Sequence, residues 1–319
     1  MKINSVYVEI TDVCNLNCSF CPCGKRNLSA SPDSASRREF MDSALFERCI
    51  AEVSTVAESV YFHVLGEPTL HPGFGLYLKK LERTPLKLNL TTNGTTISRV
   101  GKLILASPAV RQVNFSTHAY AELPREQALS HLQDVLDFCK MANAVRPDLY
   151  VNLRLWNVGD AASNSWNEAM LAEVNGAFRE PSGTPSGSSE SGPQISLTHF
   201  CSRHKSFNVT GRIYLHQDSR FEWPELDERT GFALQTKDER FSTGTCRALD
   251  THVAILHDGR VVACCLDYSG QITLGNIADQ SLAEILDSPA ARNLREGFEK
   301  HELRHPLCRS CTFCKRFGK

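Results

Sequence analysis

The feature that most restricts the fold is an alternation in the first half of the chain. Short runs rich in β-branched and apolar residues are separated by longer stretches whose apolar residues recur at spacings of three and four. The short runs are Ser5–Ile10, Ser59–Leu65, Leu86–Thr91, Val110–Ser116 and Leu149–Leu155, with a sixth at Gly211–Leu215. Helical patterns occupy Met41–Ala57, Gly73–Glu82, Ile97–Leu105 and Arg125–Asn143. Strands that alternate with helices in this way read as βα units around a parallel sheet, so the expected class is α/β.

The alternation stops near residue 180. The segment EPSGTPSGSSESGP, from Glu180 to Pro193, has too few apolar residues to offset the entropy of ordering it and reads as a linker or surface loop. Beyond it come short strands and turns (Ala254–Leu256, His257-Asp258-Gly259-Arg260, Val261–Ala263) and two helical patches, Leu282–Leu286 and Ala290–Phe298. We therefore expect two domains, 1–235 with a flexible linker at 180–194, and 236–319. A chain of 319 residues with 41% hydrophobic content suffices for one large core and a smaller one.

A formal net charge of -1 provides no overall field for nucleic acid or an anionic membrane surface. The first ten residues lack the basic-then-apolar order of a secretory signal, and no stretch approaches the ~20 apolar residues of a membrane span. The expectation is a cytoplasmic protein without a membrane partner. In a reducing compartment the thirteen cysteines point to metal or cluster ligation, not to disulfides.

Their distribution implies two sites. Cys14, Cys18, Cys21 and Cys23 crowd one early loop, and Cys246, Cys264, Cys265, Cys308, Cys311 and Cys314 fall in the last quarter. Cys49 and Cys139 sit at helical spacing among apolar residues, as packing cysteines do. Cys201 lies in a polar stretch and receives no role.

The early loop follows the first strand and has the spacing C-x3-C-x2-C on Cys14, Cys18 and Cys21. Three thiolates hold three irons of a cubane and leave the fourth iron an open position, whereas structural zinc wants four closed ligands. The second strand ends in Gly66-Glu67-Pro68. On these residues the chain resembles the radical S-adenosylmethionine superfamily, whose members carry such a loop after the first strand of a barrel and a GEP tripeptide after the second.

The resemblance implies a partial (βα)6 TIM-like barrel with a small C-terminal α+β cluster-binding domain. It also implies a [4Fe-4S] cluster on Cys14, Cys18 and Cys21, with S-adenosylmethionine chelating the open iron. Phe20 would lie near the adenine, and Gly66, Glu67 and Pro68 would receive the ammonium group. By position, Asn93, Ser116 and Arg154 at strand ends resemble further cofactor contacts. The plain alternatives are an ordinary core Phe20, turn chemistry at Asn93 and Ser116, and a buried ion pair at Arg154.

In the last quarter, Cys246, Gly259, Cys264 and then Cys308-x2-Cys311 resemble the SPASM and twitch auxiliary-cluster domains. The resemblance implies an auxiliary iron–sulfur cluster on Cys246, Cys264, Cys308 and Cys311, with Cys265 and Cys314 left over and Cys314 a substitute for Cys308. A four-thiolate zinc site is the alternative.

The implied activity is hydrogen abstraction by a 5'-deoxyadenosyl radical, followed by oxidation or modification of a peptide or protein side chain, or of a small molecule. The reductant expected is of the flavodoxin or ferredoxin type. Two other functions fit the sequence: a non-catalytic iron–sulfur electron-transfer protein, and an RNA-modifying enzyme, suggested by the basic tail Arg304, Arg309, Lys315, Arg316 and Lys319.

Overall fold

A computed structural model of the chain describes residues 2–24, 39–179, 205–226 and 242–317. The linker expected at 180–194 and Cys201 lie outside the described residues. The chain divides into two compact units, residues 1–89 together with 221–319, and residues 90–220.

In the first unit, strand β1 (Ser5–Val8) pairs parallel with β2 (Ser59–Tyr61), which pairs parallel with the start of β3 (Lys87–Thr92). Helix α1 (Ser43–Val56) connects β1 to β2, and α2 (Phe74–Leu81) connects β2 to β3. Asp42 caps α1 by accepting the Ala44 and Leu45 amides at 2.8 and 2.9 Å. The helix buries Phe46, Cys49, Ile50 and Val53, the stripe that its three-four spacing predicts.

The other edge of β1 is not left open. Strand β8 (His252–Ile255) pairs parallel with it, Tyr7 opposite Ala254, and then turns back through Gly259 (φ +87°) into β9 (Arg260–Val262), followed antiparallel by β10 (Thr273–Asn276). An unpaired strand edge exposes a row of amides and carbonyls, and β8 satisfies the row on β1. Helices α6 (Leu282–Leu286), α7 (Pro289–Glu299) and α8 (Pro306–Ser310) complete this unit. α6 and its approach are tied to α1, since Glu52 accepts the Leu282 amide at 3.0 Å and Arg48 donates to the Ile277 carbonyl.

In the second unit the end of β3 is followed by α3 (Ile97–Ala106), β4 (Val110–Phe115), α4 (Arg125–Val145), β5 (Tyr150–Leu155) and α5 (Asn164–Ala177). β5 pairs parallel with β4 on one side and with β7 (Ile213–Gln217) on the other. The strand set β1 to β5 plus β7, with helices between, is the α/β fold of a partial (βα)6 barrel.

Three details differ from the sequence expectation. The β2 ladder stops at Tyr61, and further on the Leu65 amide is taken by the buried Glu9 carboxylate at 2.9 Å instead of by a neighbouring strand. The sixth strand begins at Ile213, because Gly211 (φ +50°) and Arg212 form a tight hairpin turn that adds an antiparallel edge strand, β6 (Ser206–Thr210). α5 was not expected: Asn164, Ser165, Asn167, Asn175 and Gly176 weaken its local signal, and the burial of Trp166, Met170, Leu171 and Val174 outweighs them. No helix among the described residues is long and apolar enough to cross a membrane.

Candidate functional site

The cysteine loop is anchored before it begins. Glu9, only 2% exposed, accepts the Leu65 amide on one side and, on the other, the His257 amide at 3.4 Å and His257 Nδ1 at 3.0 Å. Burial alone would push His257 down, but the hydrogen bond and charge of Glu9, aided by Asp12 and Asp258, raise it above its ordinary range. Thr11 Oγ1 then accepts the Val13 amide at 3.0 Å, and Asp12 accepts the Glu39 amide at 2.9 Å.

Gly66 meets this loop at close range. Its φ is +71°, and a Cβ there would lie 2.2 Å from the Thr11 carbonyl oxygen. The close approach that requires glycine is therefore made to the chain's own backbone. The next amide, of Glu67, donates to the Val13 carbonyl at 2.7 Å. The Glu67 side chain is buried and accepts the Thr69 amide and hydroxyl at 3.1 and 2.6 Å, with Pro68 opening the short helical turn that follows.

Cys14, Cys18 and Cys21 are all partly buried, as is Phe20 between them. Cys14 Sγ accepts the Leu16 amide at 3.5 Å, and its thiol is held well above the ordinary range by a hydrogen bond with Cys23, by burial and by the Glu67 carboxylate. That charge contact places the Gly66-Glu67-Pro68 turn against the cysteine loop. Cys23, outside the expected ligand set, is buried and donates to the Asp12 carbonyl at 3.5 Å.

In the second unit, Asn93, Ser116 and Arg154 stand at the carboxyl ends of β3, β4 and β5, where barrel folds build sites. Asn93 Oδ1 accepts the Thr95 amide and hydroxyl at 3.0 and 2.8 Å, which is turn chemistry. Ser116 donates its amide to the Thr92 carbonyl at 2.9 Å and starts the 3-10 turn Thr117–Glu122. The Arg154 guanidinium lies 4.6 Å over the Trp156 ring and donates to Thr91 Oγ1 at 3.5 Å. His118 hydrogen-bonds the Arg154 carbonyl through Nδ1 at 3.2 Å and stacks on Trp156; burial pushes it down to about 4.

The C-terminal cysteines gather within the first unit. Cys264, after β9, has Cys265, Cys246, Cys308 and Cys311 as charge neighbours, and Cys314 neighbours Cys246, Cys308 and Cys311. Burial raises them all, Cys265 and Cys311 to about 12, so they resist ionisation without a cation. A bound metal centre reverses this preference. Cys246 Sγ accepts the Ala248 amide at 3.4 Å, repeating the Cys14–Leu16 contact. Such N–H donation suits thiolates that carry iron, and in this respect both donor sets fit a cluster. Among the described residues no three His, Cys, Asp or Glu side chains converge on one point as for a single metal ion. Cys49 and Cys139 are fully buried on α1 and α4.

Sequence reasoning missed Glu9, His257 and Asp267. Asp267 is 1% exposed, raised by burial despite accepting the Gln271 and Ile272 amides at 2.8 and 2.6 Å. A carboxylate inside a strand run, as at Glu9, was the available signal.

Comparison with known proteins agrees with this arrangement. Residues 8–157 match the model of the Radical SAM superfamily, and residues 246–314 match that of SPASM, an iron–sulfur cluster-binding domain. A tungsten-containing aldehyde ferredoxin oxidoreductase cofactor-modifying protein from Pyrococcus furiosus is 29% identical over 129 residues, 40% of this chain and 34% of the relative. The match thus spans about a third of that relative's length. Among solved structures, Streptococcus suis SuiB bound to S-adenosylmethionine aligns with TM-score 0.60 at 15% identity, covering 98% of this chain and 77% of SuiB. anSMEcpe with bound AdoMet and a Cp18Cys peptide aligns with TM-score 0.51 at 15% identity, covering 98% and 87%. With a three-cysteine loop on the first strand of its barrel and a second cysteine group in a matched cluster-binding domain, the chain belongs to the radical S-adenosylmethionine superfamily and carries a C-terminal SPASM domain.

Proposed function

We propose that this chain is a radical enzyme that holds a [4Fe-4S] cluster on Cys14, Cys18 and Cys21 and an auxiliary iron–sulfur cluster on Cys246, Cys264, Cys308 and Cys311. Bound there, the first cluster and S-adenosylmethionine supply reductive cleavage of a carbon–sulfur bond, and with it a 5'-deoxyadenosyl radical that takes hydrogen from a substrate. The observation that carries this reading is the three-cysteine loop with the buried Glu67 carboxylate beside Cys14.

The chain's own residues would act as follows. Glu67, fixed by Thr69, offers fixed negative charge to the cofactor's ammonium group. Glu9 anchors the strand that leads into the loop through Leu65 and His257, and the Glu67 amide holds the loop at the Val13 carbonyl; Phe20 would lie near the adenine. Arg154, held over the Trp156 ring, presents a planar fork suited to a carboxylate, and Ser116 offers a hydroxyl. Residues 1–235 form the barrel part and 236–319 the cluster-binding part.

The substrate proposed is a peptide or protein side chain, with a small molecule as the second choice. SuiB bound to precursor peptide SuiA, and anSMEcpe with a peptide, support the former as fold relatives. Electrons come from a flavodoxin- or ferredoxin-type reductant, and the compartment is the cytoplasm. The RNA reading has little support, because Arg304 pairs with Glu296 and Glu302 while Arg309 donates to the Leu303 carbonyl.

Anaerobic reconstitution with iron and sulfide counting tests the proposal, at about four irons per cluster. Wild type should hold two clusters and form 5'-deoxyadenosine under reduction, and the Cys14/Cys18/Cys21→Ala variant should hold one cluster and form none. Deoxyadenosine from the variant, or zinc in place of iron, would overturn it.

A further inference from the structure

Five aromatic rings run in sequence beside the C-terminal cysteines of the first unit. Tyr268, which packs against the same apolar core as Cys265, meets the Trp223 ring edge-on at 5.7 Å between centres. Trp223 lies 5.3 Å from Phe221, Phe221 meets Phe313 at 5.7 Å, and Phe313 meets Phe317 at 5.5 Å. Phe313 stands between Cys311 and Cys314 in the chain, and all five rings are partly exposed. Aromatic rings and arginine are the side chains enriched where a protein surface meets a partner.

One end of the row is charged. The Arg316 guanidinium lies 4.9 Å over the Phe313 ring and that of Arg247 lies 5.9 Å over Phe317. Such contacts hold a cation on a ring without neutralising it. Arg247, Lys315 and Arg316 are all exposed, and the turn after Arg247 adds one exposed acid, Asp250, so cations outnumber acids here. The acid between Phe221 and Trp223, Glu222, belongs to the other end of the row.

We propose that Phe313 and Phe317, with Arg247, Lys315 and Arg316, form the docking surface of an acidic flavin protein of the flavodoxin type that passes single electrons to the auxiliary cluster. This rests on Cys246, Cys264, Cys308 and Cys311 holding that cluster. The reduced flavin loses one electron and the oxidised cluster gains it, with no bond made or broken in this chain. Exposed rings suit a flavin, whose flat apolar edge can lie against them. The cations suit a carrier rimmed with carboxylates, because complementary charge speeds the encounter. RNA would also stack on rings, but three cations on a chain of formal net charge -1 give its phosphates a weak hold.

The test uses the full chain carrying Cys14/Cys18/Cys21→Ala and loaded anaerobically with iron and sulfide, so that the auxiliary cluster stands alone. Calorimetry reads the binding of an acidic flavodoxin, and stopped-flow absorbance reads electron transfer from its reduced form. Affinity should fall at least about tenfold between about 0.05 and about 0.5 M salt, since exposed charges are screened beyond a Debye length. Into this parent are placed Arg247→Glu/Lys315→Glu/Arg316→Glu and, separately, Phe317→Ala. Lys79→Glu/Arg83→Glu/Lys87→Glu makes the same change of charge at exposed positions elsewhere in the unit and serves as control. Iron content should stay at the parent value throughout. The first variant should weaken binding at least about tenfold, slow electron transfer and flatten the salt dependence. Phe317→Ala should weaken binding and keep the salt slope, and the control should bind as the parent does. Salt-independent binding by the parent, unchanged affinity in the first variant or in Phe317→Ala, or equal weakening in the control would overturn the docking surface. So would loss of iron in the first variant, which would make these side chains supports of the cluster. An acidic ferredoxin or a single-stranded RNA that depends on the three cations where flavodoxin does not would overturn the choice of partner. A parent without auxiliary iron would instead overturn the cluster assignment from which the electron transfer follows.

Discussion

Replacing Gly66 by alanine should dismantle the first cysteine loop without touching a cysteine. The left-handed backbone at φ +71° costs a side-chain-bearing residue roughly 1–2 kcal/mol. The new Cβ would also stand 2.2 Å from the Thr11 carbonyl oxygen, so about 1 Å of relief is needed to reach the 3.0–3.4 Å range that real Cβ contacts tolerate. The opposing atom is backbone, and the same strand end carries the Glu67 to Val13 hydrogen bond at 2.7 Å. Losing that bond in a buried place costs about 1–3 kcal/mol, for a combined destabilisation of about 2–5 kcal/mol. Urea denaturation of the cluster-free protein, followed by circular dichroism, reads the stability, and anaerobic iron loading reads the loop. Gly66→Ala should shift the midpoint down and lose the iron of the first cluster while keeping that of the second. A variant with wild-type midpoint and full iron content would refute the steric reasoning.

Glu67→Gln keeps an oxygen to accept from Thr69 but drops the charge. S-adenosylmethionine should bind at least about tenfold more weakly by equilibrium dialysis, as expected for a lost charge-assisted bond worth roughly 1.5–3 kcal/mol, with iron content unchanged; wild-type affinity would remove Glu67 from the cofactor's ammonium group. His257 is raised by Glu9, so its contribution to stability should be fully present below its ordinary value and fade as pH rises through the higher folded value. The urea midpoints of wild type and His257→Gln should therefore differ most at about pH 5.5 and converge at about pH 8.5, and a constant gap would count against the Glu9–His257 pair. Arg154→Lys gives up the guanidinium contact over the Trp156 ring at 4.6 Å and should cost about 0.5–2 kcal/mol. It should also alter tryptophan fluorescence, and an unperturbed spectrum would mean that the contact is not populated in solution.

The elements legible in the chain were those whose signal is local. Apolar spacing of three and four in Ile97–Leu105 or Arg125–Asn143 records the face a helix must bury, and α3 and α4 lie within a few residues of those bounds. The three-cysteine loop was equally legible, because its cysteines follow one another within eight residues, Cys14 to Cys21. Signals spread across distant segments were not. Nothing near Ser5 announces that β8 will pair with it from the far end of the chain, since any run of β-branched residues would serve as partner. Edge strands such as β6 are short and follow turn geometry more than composition.

Residue order alone determined the alternation of strands and helices, the grouping of cysteines into two sets, and the glycine and acid that follow β2. Tertiary structure alone decided that Gly66 is required by the Thr11 carbonyl, that Glu9 joins two strand ends to His257, and that Tyr7 stacks on Tyr61 of the neighbouring strand. The physical reason is range. Periodicity and ligand spacing act over a few residues, whereas a hydrogen bond between Glu9 and His257 spans 248 positions and exists only once the parallel pairing of β1 and β8 has brought them side by side.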